Sequence, residues 1–172
     1  YDAKGRLIKK TEAVGTPMAQ VTTYVWQPTR DLIAQINQPG GLRIDFSYDA
    51  SEELVSITET NFSQFGVYAQ SRVTSFSRTY HSNGMIATRM VDGPLPGSDD
   101  AVIDIYDVEG NLIYTQNSLG HLVTYSNYND LGLPGRVVGV NGETTDYIYD
   151  ARGRVTSVTN YVSGVSSTTS YT

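Results

Sequence analysis

The sequence predicts an all-β protein: antiparallel β-hairpin repeats forming one curved sheet strip. Three observations carry that reading. Val, Ile, Thr, Tyr, Phe and Trp supply 64 of the 172 residues, and these branched or flat side chains suit a pleated surface. An aromatic-led heptad recurs at a spacing near 22 residues, a period that marks stacked repeats. Glycines punctuate the chain so that a turn falls about every 11 residues, the mark of an all-β meander. Lys occurs only three times, so strong helix formers are thin.

The heptads appear in this order. Tyr1-Asp2-Ala3-Lys4-Gly5-Arg6-Leu7 opens the chain, and Tyr149-Asp150-Ala151-Arg152-Gly153-Arg154-Val155 matches it near the end. Tyr106-Asp107-Val108-Glu109-Gly110-Asn111-Leu112 is a third copy, and Tyr48-Asp49-Ala50-Ser51-Glu52-Glu53-Leu54 a fourth that lacks the Gly. Tyr80-His81-Ser82-Asn83-Gly84-Met85-Ile86 and Tyr128-Asn129-Asp130-Leu131-Gly132-Leu133-Pro134 are weaker, and the segment from Trp26 to Leu32 is the most degenerate. Tyr171-Thr172 begins an eighth. The anchors fall at 1, 26, 48, 80, 106, 128, 149 and 171. Two steps are stretched and predict enlarged loops near 61–71 and 92–100. The chain therefore reads as a single repeat segment, 1–172, of about seven repeats.

Each repeat has the same logic. A glycine turn precedes a strand that ends on the anchor: Leu42 to Tyr48, His121 to Tyr128, Glu143 to Tyr149 and Val165 to Tyr171. The chain then reverses within a few residues. Asp2, Asp49, Asp107 and Asp150, with Asn129 standing in, are expected to accept backbone N–H groups two or three residues on. Gly5, Gly110, Gly132 and Gly153 are expected to supply a positive φ. A second strand follows, such as Arg154 to Tyr161. The anchors Tyr1, Tyr48, Tyr106, Tyr128 and Tyr149 are expected to lie beside one another as an aromatic ladder. The nearest segment to a helical period, Asp31 to Gln38, is too short and runs into Pro39-Gly40-Gly41.

Charge and chemistry exclude several classes. A formal net charge of −6 argues against nucleic-acid binding. There is no Cys and there are two His, so thiol chemistry and a His-rich metal site are out. No apolar run approaches the roughly 20 residues of a membrane-spanning helix. The aspartates at 2, 49, 107 and 150 recur at the repeat period, which reads as turn caps rather than a converging catalytic site. Asp99, Asp100 and Asp104 lack the order of a calcium loop. No catalytic residue, metal ligand or cofactor is assigned, and the expectation is that the chain is not an enzyme.

The Tyr-Asp-x-x-Gly-Arg-Leu heptads at this spacing resemble YD repeats, the units of RHS proteins, a family that includes bacterial polymorphic toxins, Tc toxin C components and teneurin-like shells. The resemblance spans essentially the whole chain and is strongest at Tyr1, Tyr106 and Tyr149. It implies a β-sheet strip that forms part of a shell around a C-terminal toxin or effector. It also implies export by a bacterial secretion system to the cell surface or beyond. The expected partners are neighbouring repeats and the enclosed toxin, with no nucleic acid and no membrane span. The family's Asp-Pro-x-Gly-Leu cleavage motif is absent; Asp92-Gly93-Pro94 lies mid-chain, so no cleavage residue is carried over. A second reading stays open: a cell-surface adhesion or carbohydrate-binding module, with Trp26 and Tyr80 as its glycan-facing aromatics. The first residue is Tyr and the last repeat is incomplete, which reads as a piece of something longer. Val162 to Thr172 holds no charge and no Pro, so edge-to-edge self-association is expected.

Overall fold

A computed structural model describes all residues, 1–172. Fourteen antiparallel strands form one sheet whose spatial order is the sequence order. They are β1 (Lys9–Glu12), β2 (Gln20–Trp26), β3 (Ile33–Asn37), β4 (Leu42–Tyr48), β5 (Leu54–Asn61), β6 (Ser71–Tyr80), β7 (Ile86–Asp92), β8 (Val102–Tyr106), β9 (Leu112–Asn117), β10 (Leu122–Tyr128), β11 (Pro134–Val138), β12 (Thr144–Tyr149), β13 (Val155–Val162) and β14 (Val165–Ser170). One 3-10 turn, Pro96–Ser98, is the sole helical element. The strands fall into two compact units, Tyr1–Phe76 and Ser77–Thr172.

Turn chemistry explains why strands stop where they do. At the heptad near the C-terminus, the Asp150 N–H donates to the Arg154 carbonyl at 2.8 Å and the Gly153 N–H to the Asp150 carbonyl at 3.0 Å. Gly153 has φ +78°. This is a three-residue hairpin loop closed by a left-handed residue, with its G1 bulge. The register also slips beside the anchor, between Ile148 and Tyr149, and likewise at Ser47/Tyr48, Ile105/Tyr106 and Val25/Trp26. The turns between β9 and β10 and between β11 and β12 use the same design. The Asn117 N–H donates to the His121 carbonyl at 3.1 Å and the Gly120 N–H to the Asn117 carbonyl at 2.9 Å.

The heptad that lacks Gly keeps the geometry and bears the strain. Glu52 occupies the left-handed position at φ 67°, a conformation that crowds Cβ against the following carbonyl. Glu52→Gly is therefore expected to stabilise the protein by about 1 kcal/mol, despite losing a 3.6 Å half-exposed ion pair with Arg30. Equilibrium denaturation of the variant checks this; no gain would mean that the turn is already relaxed.

In the first unit, one face carries the polar row Thr23, Asn37, Arg43, Thr60 and Ser71 in successive strands. Asn37 donates to Thr23 at 3.0 Å, and the Thr60 and Ser71 hydroxyls meet at 2.9 Å. The opposite face carries Tyr24, Ile36 and Ile44 in register. In the second unit, Arg136 and Asp146 face each other on β11 and β12 and pair through two bonds of 2.6 and 2.7 Å. Such cross-strand pairs are the unit of sheet stabilisation.

Neither unit has a core of its own. No apolar side chain is fully buried, and Thr60, at 4% exposure, is the single buried residue. The chain exposes 11489 Å², whereas a compact monomer of its mass exposes about 8300 Å². Ladder hydrogen bonds, turn caps and half-buried cross-strand contacts hold this sheet, with no second layer opposite.

Candidate functional site

The turns after the anchor aromatics are the most elaborately bonded part of the chain. In the Asp150 turn, Oδ1 accepts from the backbone N–H groups of Arg152 at 2.8 Å and Arg154 at 2.9 Å. Asp2 does the same for Lys4 and Arg6, Asp49 for Ser51 and Glu53, and Asp107 for Glu109 and Asn111. Asn129 accepts from Leu131 and Leu133 at 3.0 Å each. The reach is two and four residues on, rather than two or three, because the left-handed residue swings the fourth N–H back toward the cap. Gly5, Gly110 and Gly132 lie at φ 79°, 89° and 71° in their turns.

The second carboxylate oxygen binds the residue after the Gly. Asp2 Oδ2 accepts from Arg6 Nε at 2.7 Å, Asp150 Oδ2 from Arg154 Nε at 2.7 Å, and Asp107 Oδ2 from Asn111 Nδ2 at 3.0 Å. These bonds shift the acids. The backbone N–H of Arg6 leads in holding Asp2 below the ordinary aspartate range, and that of Arg154 does so for Asp150. At Asp107, burial pushes the value up, but the Asn111 side chain and nearby backbone groups outweigh it and the net shift is downward. Arg6, Asn111 and Arg154 were missed in sequence, where they read as strand starts; a polar residue at that slot in three copies was the available signal. Asn117 was missed too: it caps its turn by accepting from Leu119 and His121.

Neighbouring turns are stitched together within each unit. In the first, Arg6 Nη1 lies 3.0 Å from Asp31 Oδ1, and Arg30 Nη1 donates to the Asp49 carbonyl at 3.0 Å. In the second, His81 Nε2 lies 3.0 Å from the Tyr106 carbonyl, and Asn83 Nδ2 donates to the Val108 carbonyl at 2.7 Å. Residues of these heptads thus tie the Tyr1 repeat to that of Trp26, the Trp26 repeat to that of Tyr48, and the Tyr80 repeat to that of Tyr106.

The anchors do not form the expected stacked ladder. The close ring pairs are Phe62–Tyr68 and Tyr147–Tyr149, and neither joins successive anchors. Instead the polar tips reach back across one strand to a carbonyl at its start. The Tyr48 hydroxyl donates to Ile33 at 3.1 Å, Tyr128 to Leu112 at 2.7 Å and Tyr149 to Pro134 at 2.9 Å. Trp26 Nε1 donates to Leu7 at 2.9 Å. Partial burial raises the pKa of all three tyrosines. Tyr128→Phe is expected to cost about 1 kcal/mol, the worth of one such bond, in chemical denaturation; an unchanged midpoint would remove the hydroxyl from the account. Tyr1 is 81% exposed.

The two aromatics read as glycan-facing differ in setting. Arg6 lies 5.2 Å above the Trp26 ring, so one face of the indole is covered. Tyr80 is about half exposed. A more open aromatic group sits on the first enlarged loop, 62–70. Asn61 organises it, donating through Nδ2 to the Phe65 and Val67 carbonyls and accepting at Oδ1 from the Ser63 N–H and hydroxyl. The loop holds Phe65 at 84% exposure and Tyr68 at 69%. Beside it lies an open hollow of about 380 Å³ lined by residues that include Glu59, Asn61, Gln70 and Arg72. No three carboxylate or imidazole groups come together in an arrangement that would hold a metal ion. No helix is long and apolar enough to cross a membrane, which says nothing about a β-barrel.

The geometry defines a hairpin-repeat protein: two strands per repeat, an Asp- or Asn-capped turn, and a single layer of sheet. Residues 128–166 match the family model for the RHS Repeat. The matched stretch runs from the Tyr128 anchor through the Asn129 and Asp150 turns into β14. No curated protein matches the chain. Among solved structures, the chain is similar to one from a TcdB2-TccC3-Cdc42 crystal structure, at 10% identity and a TM-score of 0.34 over 81% of this chain and 10% of that one. It is also similar to a porin-like protein from Bacteroides uniformis, at 14% identity and a TM-score of 0.40 over 98% of this chain and 84% of that one. A third is a chain of the Photorhabdus luminescens Tc holotoxin pore, at 11% identity and a TM-score of 0.29 over 93% and 14%. The chain spans between about a tenth and a seventh of these Tc toxin chains.

Proposed function

We propose that this chain is a wall segment of an RHS-type β-shell that encloses a C-terminal toxin or effector for delivery outside the producing cell, and that its role is structural rather than catalytic. One observation supports this above the others. A sheet of fourteen strands in sequence order buries no apolar side chain fully. Such a sheet suits a wall, where further repeats and enclosed material supply the missing contacts. The RHS-repeat match at 128–166 favours the same reading. The test is protease protection in the full-length protein that carries this segment. The region downstream of the repeats should survive digestion while attached and be cut when expressed alone. Equal cutting in both would overturn the proposal.

A second reading has its own observation: the loop leaves Phe65 and Tyr68 largely exposed, and an open hollow next to it is lined by residues that include Glu59, Asn61, Gln70 and Arg72. Aromatic faces flanked by hydrogen-bonding groups suit a sugar ring. A glycan array with the 172-residue chain tests it: binding lost in Tyr68→Ala supports an adhesion or carbohydrate-binding role, and no binding to any glycan removes it.

A further inference from the structure

The dipeptide Asn-Gly occurs twice, at Asn83-Gly84 and at Asn141-Gly142. Both pairs sit in the same kind of turn. At the first, the His81 N–H donates to the Met85 carbonyl at 2.8 Å and the Gly84 N–H to the His81 carbonyl at 3.0 Å. At the second, the Gly139 N–H donates to the Glu143 carbonyl at 2.8 Å and the Gly142 N–H to the Gly139 carbonyl at 3.0 Å. The two glycines have φ +83° and +82°, and both asparagines are exposed. The backbone is therefore matched between the turns, and the asparagine side chains differ in how they are held.

The Asn83 carboxamide is bound at both ends. Its Oδ1 accepts from the Met85 N–H at 3.1 Å, and its Nδ2 donates to the Val108 carbonyl at 2.7 Å. The Asn141 carboxamide has no hydrogen-bond partner in the protein; its backbone N–H is the engaged group, donating to Glu143 Oε2 at 3.0 Å. The difference has a local cause. Gly139 occupies the cap position and offers no side chain. The Glu143 carboxyl folds over it, where a Cβ at residue 139 would collide, and takes the N–H from the far side of the turn. Asn141 is left at the tip with nothing to hold.

We propose that Asn141 is a site of spontaneous modification, converting to aspartate and isoaspartate through a cyclic imide, and that its hydrogen bonds protect Asn83 from the same reaction. The Gly142 backbone nitrogen attacks Cγ of Asn141. A C–N bond forms, the bond from Cγ to Nδ2 breaks, and the Gly142 N–H proton departs with the side-chain nitrogen as ammonia. Water then opens the ring. Cleavage at Cγ gives aspartate; cleavage at the main-chain carbonyl gives isoaspartate, whose backbone is one atom longer. Water is the sole co-reactant, and nothing is oxidised or reduced. Glycine favours the attack because no Cβ shields its nitrogen. The carboxamide must swing back onto that nitrogen, which breaks no side-chain bond at Asn141 and two at Asn83. The glycine N–H bond must open in both turns, so it does not distinguish them. Either product sets a new carboxylate near Glu143, and isoaspartate lengthens the loop that closes β11 onto β12. The proposal rests on turn geometry and stands or falls independently of the shell reading.

The test is to age the folded 172-residue chain in mildly alkaline buffer and map its peptides over time. Trypsin, cutting after Arg78 and Arg89 and after Arg136 and Arg152, places each asparagine in a peptide with no second one. The Asn141 peptide should gain the mass of an NH2-to-OH exchange and split into aspartate and isoaspartate forms. Its rate should exceed that of the Asn83 peptide by about 5- to 30-fold, the factor for one or two hydrogen bonds. In urea-unfolded chain the two rates should converge. Asn141→Gln should remove the fast conversion and leave that of Asn83 unchanged. Three results would each overturn the proposal: no conversion of Asn141 in the folded chain, equal rates at the two sites while folded, or a folded-state difference that persists in full in urea.

Discussion

Gly41→Ala is expected to destabilise the protein by about 3 kcal/mol, the upper end for a strained non-glycine backbone, while Gly40→Ala beside it costs about 1 kcal/mol. Both glycines have positive φ, +84° at Gly40 and +89° at Gly41. They differ in what a Cβ would meet. At Gly40 nothing lies within 4 Å. At Gly41 the Cβ would fall 2.7 Å from the Ser63 nitrogen and 2.8 Å from the Phe62 carbonyl carbon. Those are backbone atoms, so no side-chain rotation relieves the contact. The Gly41 carbonyl also accepts from the Phe62 N–H at 2.7 Å, and Arg43 lies 5.0 Å above the Phe62 ring. Moving the loop away therefore breaks its anchorage to β4 as well. The pair of variants separates strain from close approach. Equal losses in urea denaturation would show that the loop is not seated on Gly41.

That seat illustrates what could be read in the residues and what could not. Pro39-Gly40-Gly41 announces a turn, and the stretched step from Tyr48 to Tyr80 announces an enlarged loop. Nothing in either announces that the loop folds back against the second glycine, because that contact joins residues about 20 positions apart through the β4–β5 pairing. Strand ends were legible for a local reason. Leu42 and Tyr48 bound β4 as expected, since a positive-φ glycine and an Asx turn act within a few residues. The caps were legible in position but not in reach. The carboxylate's grip on the fourth N–H, and on Arg6, Asn111 or Arg154, depends on a left-handed residue folding the chain back. The tyrosine ladder failed for a related reason. Equal spacing along the chain brings anchors to equivalent places, but a half-buried hydroxyl seeks a nearby carbonyl, and the first residue of the adjacent strand provides one. The Asn61 network had no periodic signal at all.

The second large effect expected is on acid stability. Asp2, Asp107, Asp146 and Asp150 all have carboxyl pKa values lowered from the ordinary 3.8. At Asp146 the leading cause is the Arg136 side chain, whose two bonds bind the charged form. A carboxylate with a lowered folded-state pKa holds more charge folded than unfolded. Its stabilisation is complete above the unfolded value and disappears as pH falls through the folded one. The thermal midpoint should therefore be nearly flat down to about pH 4 and fall steeply below it. These groups recur along a sheet without a buried core, so the loss strikes several turns at once and little else resists it. Asn129 shows how to separate charge from capping, because its amide oxygen accepts the same two backbone N–H groups with no ionisation. The variant carrying Asp2→Asn, Asp107→Asn and Asp150→Asn should keep its turns near neutral pH, lose its bonds to Arg6 and Arg154 as ion pairs, and show a shallower fall in acid. Asp150→Ala should instead lose stability at every pH, since the Arg152 and Arg154 N–H groups are then left without their acceptor. Midpoints by circular dichroism between about pH 6 and pH 2.5 distinguish the cases. If the triple asparagine variant falls as steeply as the parent, the turn carboxylates are not the source of acid lability and the Arg136–Asp146 pair becomes the remaining carrier to test.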